Sequence, residues 1–131
     1  MSSAAPAPAD VEGLIEEARA AERAGRLGTA RRRYEAALHR LRAGAPEVTA
    51  SAVMRWIGRL HELEGDLDAA SDCYGAAHAS AVACASGVDV AHVLNCRGIL
   101  EFRRGRLDAA QSLYEEARRM ARAAGEPRVD P

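Results

Sequence analysis

The residues that could support catalysis do not form a recognised catalytic pattern in this sequence. His61 and Glu62 match the start of a helical zinc-protease motif, but Leu63-Glu64-Gly65 follows where that motif requires a second histidine. His92 and Cys96 are four residues apart, yet two ligands do not make a metal site. The sequence also contains no phosphate-binding loop and no nucleophile with a credible base partner. We therefore predict a protein that is not an enzyme and that uses no catalytic residue, cofactor or metal.

Cysteine usage leads to the same expectation. Cys73, Cys84 and Cys96 are odd in number and have no CxxC spacing. Neither a disulfide framework nor a zinc site is indicated by that pattern. We interpret the three cysteines as small buried hydrophobic residues.

Charge and composition limit the kinds of partner. The chain has 18 basic and 19 acidic residues, a net charge of −1, so no large field attracts nucleic acid or an anionic membrane. No segment is long and apolar enough to cross a bilayer, and residues 1–9 lack the features of a secretory signal. We expect a cytoplasmic protein with a disordered leader at residues 1–9, a protein or peptide partner, and no nucleic-acid or membrane partner.

An internal repeat with a period of 40 residues organises the rest of the chain. Each copy has a glycine, then leucine, alanine, tyrosine and alanine after two, five, nine and twelve residues. A small residue also lies seven positions before each glycine. The glycines are Gly25, Gly65 and Gly105, the tyrosines are Tyr34, Tyr74 and Tyr114, and the preceding small residues are Ala18, Gly58 and Gly98.

Each repeated residue has a physical role if one copy is a pair of antiparallel helices. The glycine ends the first helix, because it adopts the left-handed conformation without steric cost. Asp66, Asp68 and Asp108 lie where the second helix begins, where a carboxylate caps free amides. The alanine, tyrosine and alanine share one face of that helix. The small residue before the glycine lies where the first helix should touch the second.

These motifs resemble tetratricopeptide repeats, and the resemblance covers residues 11 to 125. The usual repeat has 34 residues, so the period of 40 is a departure, as is the missing helix-ending proline in the second and third copies. The resemblance implies an all-α solenoid of three antiparallel helix hairpins, six helices in all, stacked in a right-handed superhelix. The single domain would span residues 10–125, with repeats at about 10–46, 47–86 and 87–125 and a tail at 126–131.

Apolar periodicity, caps and turn residues locate the helices. Asp10 is a plausible cap for the first helix, and the third helix is the most apolar, which places it in the middle of the stack. Turns are predicted at residues 44–46 and 86–87. The six predicted helices are about Val11–Ala24, Thr29–Arg42, Val48–Glu64, Leu67–Ala85, Val88–Arg104 and Leu107–Ala124.

The resemblance further implies that the first helix of each hairpin lines a concave surface, where a peptide or helix of a partner protein binds. Trp56 borders a broad apolar arc and is expected to be mostly core. The candidate groove residues are Arg19, Arg55, Trp56, Arg59, Asn95, Ile99, Phe102 and Arg103.

The third copy differs from the first two within this predicted groove. The first two copies have an arginine and a glutamate three residues apart, which we expect to be exposed, and the third has Ile99 and Phe102 there. Either this apolar pair anchors a partner with apolar and acidic side chains, or it packs against the tail or a neighbouring repeat. The equivalent charged pairs are Arg19 with Glu22 and Arg59 with Glu62.

The end of the chain provides an alternative to groove binding. Residues 126–131 resemble the start of another hairpin, and no polar capping helix follows. Because stacked repeats need solvating ends, a second copy, a partner protein or further repeats should cover helices five and six. The leading hypothesis is a non-enzymatic interaction module. The alternative is a self-assembling structural or regulatory segment, as in a larger transcriptional or signalling protein, acting through its uncapped C-terminal end.

Overall fold

Six α-helices, and no strands, occur in the part of the chain that the structure describes. The computed structural model describes residues 10–41 and 49–125. The predicted leader, the turn at residues 44–46 and the tail at 126–131 lie outside the described residues. The all-α class is confirmed, and the helix ends inside the described residues fall within one or two residues of the prediction. The helices are α1 (Val11–Arg23), α2 (Leu27–Leu41), α3 (Ala50–Leu63), α4 (Leu67–Ala83), α5 (Gly87–Arg103) and α6 (Leu107–Ala123).

The helices pack as three hairpins in chain order. α1 packs on α2, α3 on α4 and α5 on α6, while α2 with α3 and α4 with α5 join neighbouring hairpins. α3 also contacts α5, so these two first helices lie side by side. Asp10 caps α1 as predicted, because its carboxylate accepts from the Gly13 amide at 2.7 Å.

The turns inside the hairpins use glycine in the left-handed conformation, as predicted. Gly25, Gly65 and Gly105 have φ angles of 76°, 88° and 79°. The amide after each glycine donates to a carbonyl five residues earlier, at 2.8–2.9 Å, which closes the helix end. The turn before α5 differs from the prediction, because Ala85 has the positive φ (53°) and Gly87 is already the first residue of α5.

Each hairpin closes around the repeated tyrosine. A Cβ atom on Gly58 would lie 2.6 Å from the Tyr74 ring, and one on Gly98 would lie 2.6 Å from the Tyr114 ring. The small residues therefore let the two helices of a hairpin approach closely, as the spacing predicted. Tyr34 and Tyr74 are buried between hairpins, whereas Tyr114 is half-buried.

Replacing the small residue tests this packing. Gly58→Ala is expected to destabilise the protein by about 1–3 kcal/mol, because the added methyl group overlaps the Tyr74 ring. Gly75→Ala is the matched control in α4, since nothing lies within 4 Å of an added Cβ there. It should stabilise the protein by about 0.5–1 kcal/mol through helix propensity. Urea unfolding followed by circular dichroism measures both, and equal effects of the two changes would contradict the packing.

Candidate partner-binding face

Arginine–glutamate pairs join the first helices of successive hairpins. Arg59 of α3 donates to Glu22 of α1, and Arg103 of α5 donates to Glu62 of α3 at 2.9 Å. α1, α3 and α5 therefore form one continuous surface, which we call the α1–α3–α5 face. The predicted groove residues all belong to these three helices.

A tyrosine from the second helix completes each pair. The Tyr74 hydroxyl donates to Glu62 at 2.9 Å, and the Tyr34 hydroxyl donates to Glu22. Each glutamate thus receives one donor from its own hairpin and one from the next. We call this arrangement the Tyr–Glu–Arg bridge, and the structure contains it at both junctions between hairpins.

The expectation of exposed charged pairs within the first two copies is wrong. Glu62 is only 6% exposed, and both Glu22 and Glu62 pair with an arginine of the following hairpin. Arg19 instead lies 3.9 Å from Glu16. The spacing of three residues permits a pair on one helix, but the tyrosine hydroxyl and the arginine of the next helix both bind the carboxylate from outside that helix.

Burial and the neighbouring carboxylates keep these tyrosines protonated. Burial, with the hydrogen bond to Glu22, raises the pKa of Tyr34 from 10.0 to about 12. Burial also raises the pKa of Tyr74 above its usual range, with Cys96 and Glu62 adding to the shift. Both phenols therefore remain hydrogen-bond donors at neutral pH.

Three of the predicted groove residues meet in a cavity between α1 and α3. The Arg19 guanidinium lies over the Trp56 ring, 5.3 Å from its centroid. The Tyr34 ring is 5.6 Å from Trp56, at an interplanar angle of 46°. Trp56 is half-buried against the core and also lines the cavity. This Trp56 pocket, of about 290 Å³, is lined by Arg19, Glu22, Arg23, Tyr34, Trp56 and Arg59.

The Trp56 pocket has an excess of positive charge. Three arginines line it with one glutamate, and the Glu22 carboxylate is already bound by Arg59 and Tyr34. Arg19 and Arg23 are exposed there. An anionic group beside an apolar surface is the ligand chemistry that such a pocket accommodates.

Arg55 and Asn95 occupy equivalent positions of α3 and α5. The Nε atom of Arg55 and the Oδ1 atom of Asn95 are buried and have no hydrogen-bond partner within residues 10–41 and 49–125. Arg55 shares a helix face with Arg59, one turn away. Beside Arg55, burial raises the pKa of the Cys96 thiol.

Ile99 and Phe102 are exposed on α5, by 42% and 60%. No described part of the chain covers them, and the tail, against which the second interpretation places them, lies outside the described residues. Phe102 contributes, with Leu107 and the half-buried Tyr114, to a groove of about 360 Å³ on α5 and α6. This end groove is lined by Phe102, Leu107, Ala110, Gln111, Tyr114, Glu115 and Arg118.

The predicted groove residues therefore fall into separate places. Arg19, Trp56 and Arg59 come together in the Trp56 pocket, Arg103 joins α3 to α5, and Phe102 belongs to the end groove. Sequence reasoning missed the part played by the second helices, from which Tyr34 enters the pocket and Leu107 and Tyr114 enter the end groove. The sequence does contain a signal for the role of the tyrosines. Each one follows the glutamate or phenylalanine of the first helix by twelve residues: Glu22 and Tyr34, Glu62 and Tyr74, Phe102 and Tyr114.

The described residues do not assemble a metal site or a membrane-spanning helix. Among the described residues, no group of three histidine, cysteine or acidic side chains is placed to hold a metal ion. None of the described helices combines the length and hydropathy needed to cross a membrane. All three cysteines are free, and Cys84 is exposed at the end of α4. Its prediction as a buried residue is therefore wrong, because it is the C-cap of α4 and follows Ala81, the last buried residue of that helix.

Comparison with models of known protein families gives no match, and comparison with curated proteins gives none either. The assignment to tetratricopeptide repeats therefore stays a prediction. It rests on the repeated residues, and the hairpin fold agrees with what those residues predict.

The Tyr–Glu–Arg bridge can be tested through its arginines. Arg103→Met should destabilise the protein by about 1–3 kcal/mol, because the buried Glu62 carboxylate then keeps Tyr74 as its one hydrogen-bond donor among the described residues. Arg59→Met should cost less, below about 1 kcal/mol, since Glu22 is more exposed and water can replace the guanidinium. Urea unfolding gives both values. The reverse order would show that burial of the glutamate does not set the strength of the bridge.

Alkaline titration tests the tyrosines of the bridge. Tyrosinate absorbance from Tyr34 is expected to rise with a midpoint near 12, above the ordinary value of 10.0. Because the folded pKa exceeds the unfolded one, neutral Tyr34 stabilises the protein fully below pH 10, and this contribution is lost as the pH rises to about 12. Tyr34→Phe should remove that step from the stability profile. A Tyr34 midpoint at 10 would contradict the buried hydrogen bond.

Proposed function

We propose that the protein is a non-enzymatic interaction module of the tetratricopeptide-repeat type. On this proposal it binds a peptide or helix of a partner protein on the α1–α3–α5 face, in the cytoplasm, with the Trp56 pocket at the centre of the contact. The observation that carries the proposal is the convergence of Arg19, Arg23 and Arg59 around a half-buried tryptophan. Arginine and tryptophan are the residue types most often found as hot spots of protein interfaces.

The chemistry of the pocket favours a ligand with acidic and apolar side chains. The three arginines of the pocket outnumber the carboxylates beside them, which are Glu22 in the pocket wall and Glu16, 3.9 Å from Arg19. A guanidinium binds a carboxylate through two parallel hydrogen bonds, and the Trp56 ring offers an apolar surface to a neighbouring side chain. The exposed Ile99 lies on the same three-helix face and provides a second apolar contact.

Self-assembly through the C-terminal end is the second candidate function. Three large apolar side chains, Ile99, Phe102 and Leu107, are 42%, 60% and 59% exposed on α5 and α6. Exposed apolar patches of this kind mark surfaces that bind another protein. A structural or regulatory segment that assembles with itself would use this end rather than the Trp56 pocket.

A designed peptide tests the leading proposal. A soluble peptide of glutamate, leucine and alanine should change the emission of Trp56, the single tryptophan of the chain, and binding should weaken as salt is added. Arg19→Ala with Arg23→Ala should raise the dissociation constant about tenfold or more. Arg33→Ala is the matched control, because Arg33 lies on α2 and pairs with Glu17, away from the pocket.

A peptide with lysine in place of glutamate completes the experiment. It should bind at least about tenfold more weakly than the acidic peptide, since it meets like charges in the pocket. Equal binding of the two peptides, or equal effects of the pocket and control variants, would show that the Trp56 pocket is not the acidic-peptide site.

A further inference from the structure

We infer that the α1–α3–α5 face has two neighbouring subsites with different chemistry. The Trp56 pocket takes an acidic side chain of the bound peptide. A second subsite, at the junction of the second and third hairpins, takes an apolar side chain of the same peptide. We call it the Leu63–Ile99 subsite, after the α3 and α5 residues that form it. This inference rests on the proposed peptide binding and specifies the ligand, whose two side chains lie about 10 Å apart, one helix spacing.

The two junctions between hairpins are built in the same register. At the first junction, the Trp56 ring lies 5.6 Å from the Tyr34 ring. Cys96 follows Trp56 by 40 residues, and its thiol interacts electrostatically with Tyr74, which follows Tyr34 by the same number. Because α5 meets the second hairpin as α3 meets the first, the residues that form the Trp56 pocket have equivalents at the second junction.

The equivalents differ from the pocket residues in chemistry. Leu63 stands in place of Arg23, and Ile99 stands in place of Arg59. The second junction thus has two apolar side chains where the first has two guanidinium groups. The residues 40 positions after those that line the Trp56 pocket are Arg59, Glu62, Leu63, Tyr74, Cys96 and Ile99.

Exposure and charge determine which ligand group each subsite accepts. Leu63 is 57% and Ile99 42% exposed, so both offer apolar area to a ligand. Arg103, one turn after Ile99, is bound at 2.9 Å by the buried Glu62 carboxylate. In the Trp56 pocket, by contrast, arginines outnumber carboxylates. Charge complementarity therefore directs the acidic side chain to the first junction and the apolar one to the second.

Ile99 and Phe102 belong to different surfaces, although they are three residues apart on α5. Phe102 lines the end groove with residues of α6, and Ile99 is not part of that lining. Ile99 occupies the repeat position of Arg19 and Arg59, both of which line the Trp56 pocket. The subsite for an apolar side chain is therefore continuous with the pocket and separate from the end groove.

Three capped peptides of equal length probe the two subsites. The first has glutamate and leucine three residues apart, which spans about 10 Å in an extended chain. The second has alanine in place of the leucine, and the third has glutamine in place of the glutamate. Isothermal titration calorimetry with the full chain gives the dissociation constants. The glutamate–leucine peptide should bind at least about fivefold more tightly than either of the others.

Variants of each subsite should affect only the matching side chain. Leu63→Ala with Ile99→Ala should weaken the glutamate–leucine peptide about fivefold or more and leave the glutamate–alanine peptide unchanged. Arg19→Ala with Arg23→Ala should weaken the glutamate–leucine peptide about tenfold and leave the glutamine–leucine peptide unchanged. Val82→Ala, at an exposed apolar residue of α4, is the matched control and should leave all three unchanged.

Exchanging one residue between the junctions should exchange the preference. Leu63→Arg gives the second junction the residue that Arg23 provides at the first. A peptide with two glutamates should then bind about fivefold more tightly than the glutamate–leucine peptide, whereas the unchanged protein should prefer the latter.

The outcomes separate this inference from the proposed function. If none of the three peptides binds, both are overturned. If the glutamate–leucine peptide binds and only the arginine variant weakens it, peptide binding stands and the Leu63–Ile99 subsite is wrong. If Leu63→Ala with Ile99→Ala weakens the glutamate–leucine and glutamate–alanine peptides equally, these residues act through the fold, and the subsite is again wrong.

Discussion

A carboxylate that is taken out of water must receive hydrogen bonds, or it destabilises the fold. Glu62 meets this requirement with Tyr74 of its own hairpin and Arg103 of the next. Both donors reach one carboxylate only when α3, α4 and α5 are in register. Alanine-rich helix faces can slide at little cost, because their side chains are small and alike. The Tyr–Glu–Arg bridge therefore adds a specific alignment to the less specific packing of the hairpins.

The same bridges set the electrostatics of the α1–α3–α5 face. Glu22 and Glu62 each bind a tyrosine and an arginine of the next hairpin, while Arg19, beside Glu16, and Arg23 add two further guanidinium groups to the Trp56 pocket. A chain with a net charge of −1 thereby has a locally positive pocket. The interactions that hold successive hairpins together also place Arg59 and Glu22 in the wall of the Trp56 pocket.

The sequence predicted the elements that depend on local residues and missed those that depend on distant ones. Gly25 marks one turn and the repeated tyrosine marks one helix face, and both are recognised from residues close by in the chain. The hairpins and their boundaries could therefore be predicted. The partner of Glu22 is 37 residues away and that of Glu62 is 41 residues away. The two arginines do not occupy equivalent repeat positions, since they differ by one helical turn. Comparison of equivalent positions therefore could not identify them, and suggested pairs within one helix instead.

Position 102 shows how the requirement for a satisfied carboxylate acts on the third hairpin. A glutamate there would have the Tyr114 hydroxyl as a donor but no arginine from a following helix in the described chain. Phenylalanine removes the need for a second donor and adds apolar area beside Leu107. At either junction between hairpins, phenylalanine would leave the arginine of the next hairpin without its acceptor. The lost hydrogen bond would destabilise the fold more than the apolar contact stabilises it. One side chain therefore distinguishes the two hairpins that receive an arginine from the next hairpin from the third, where Phe102 is exposed in the described chain.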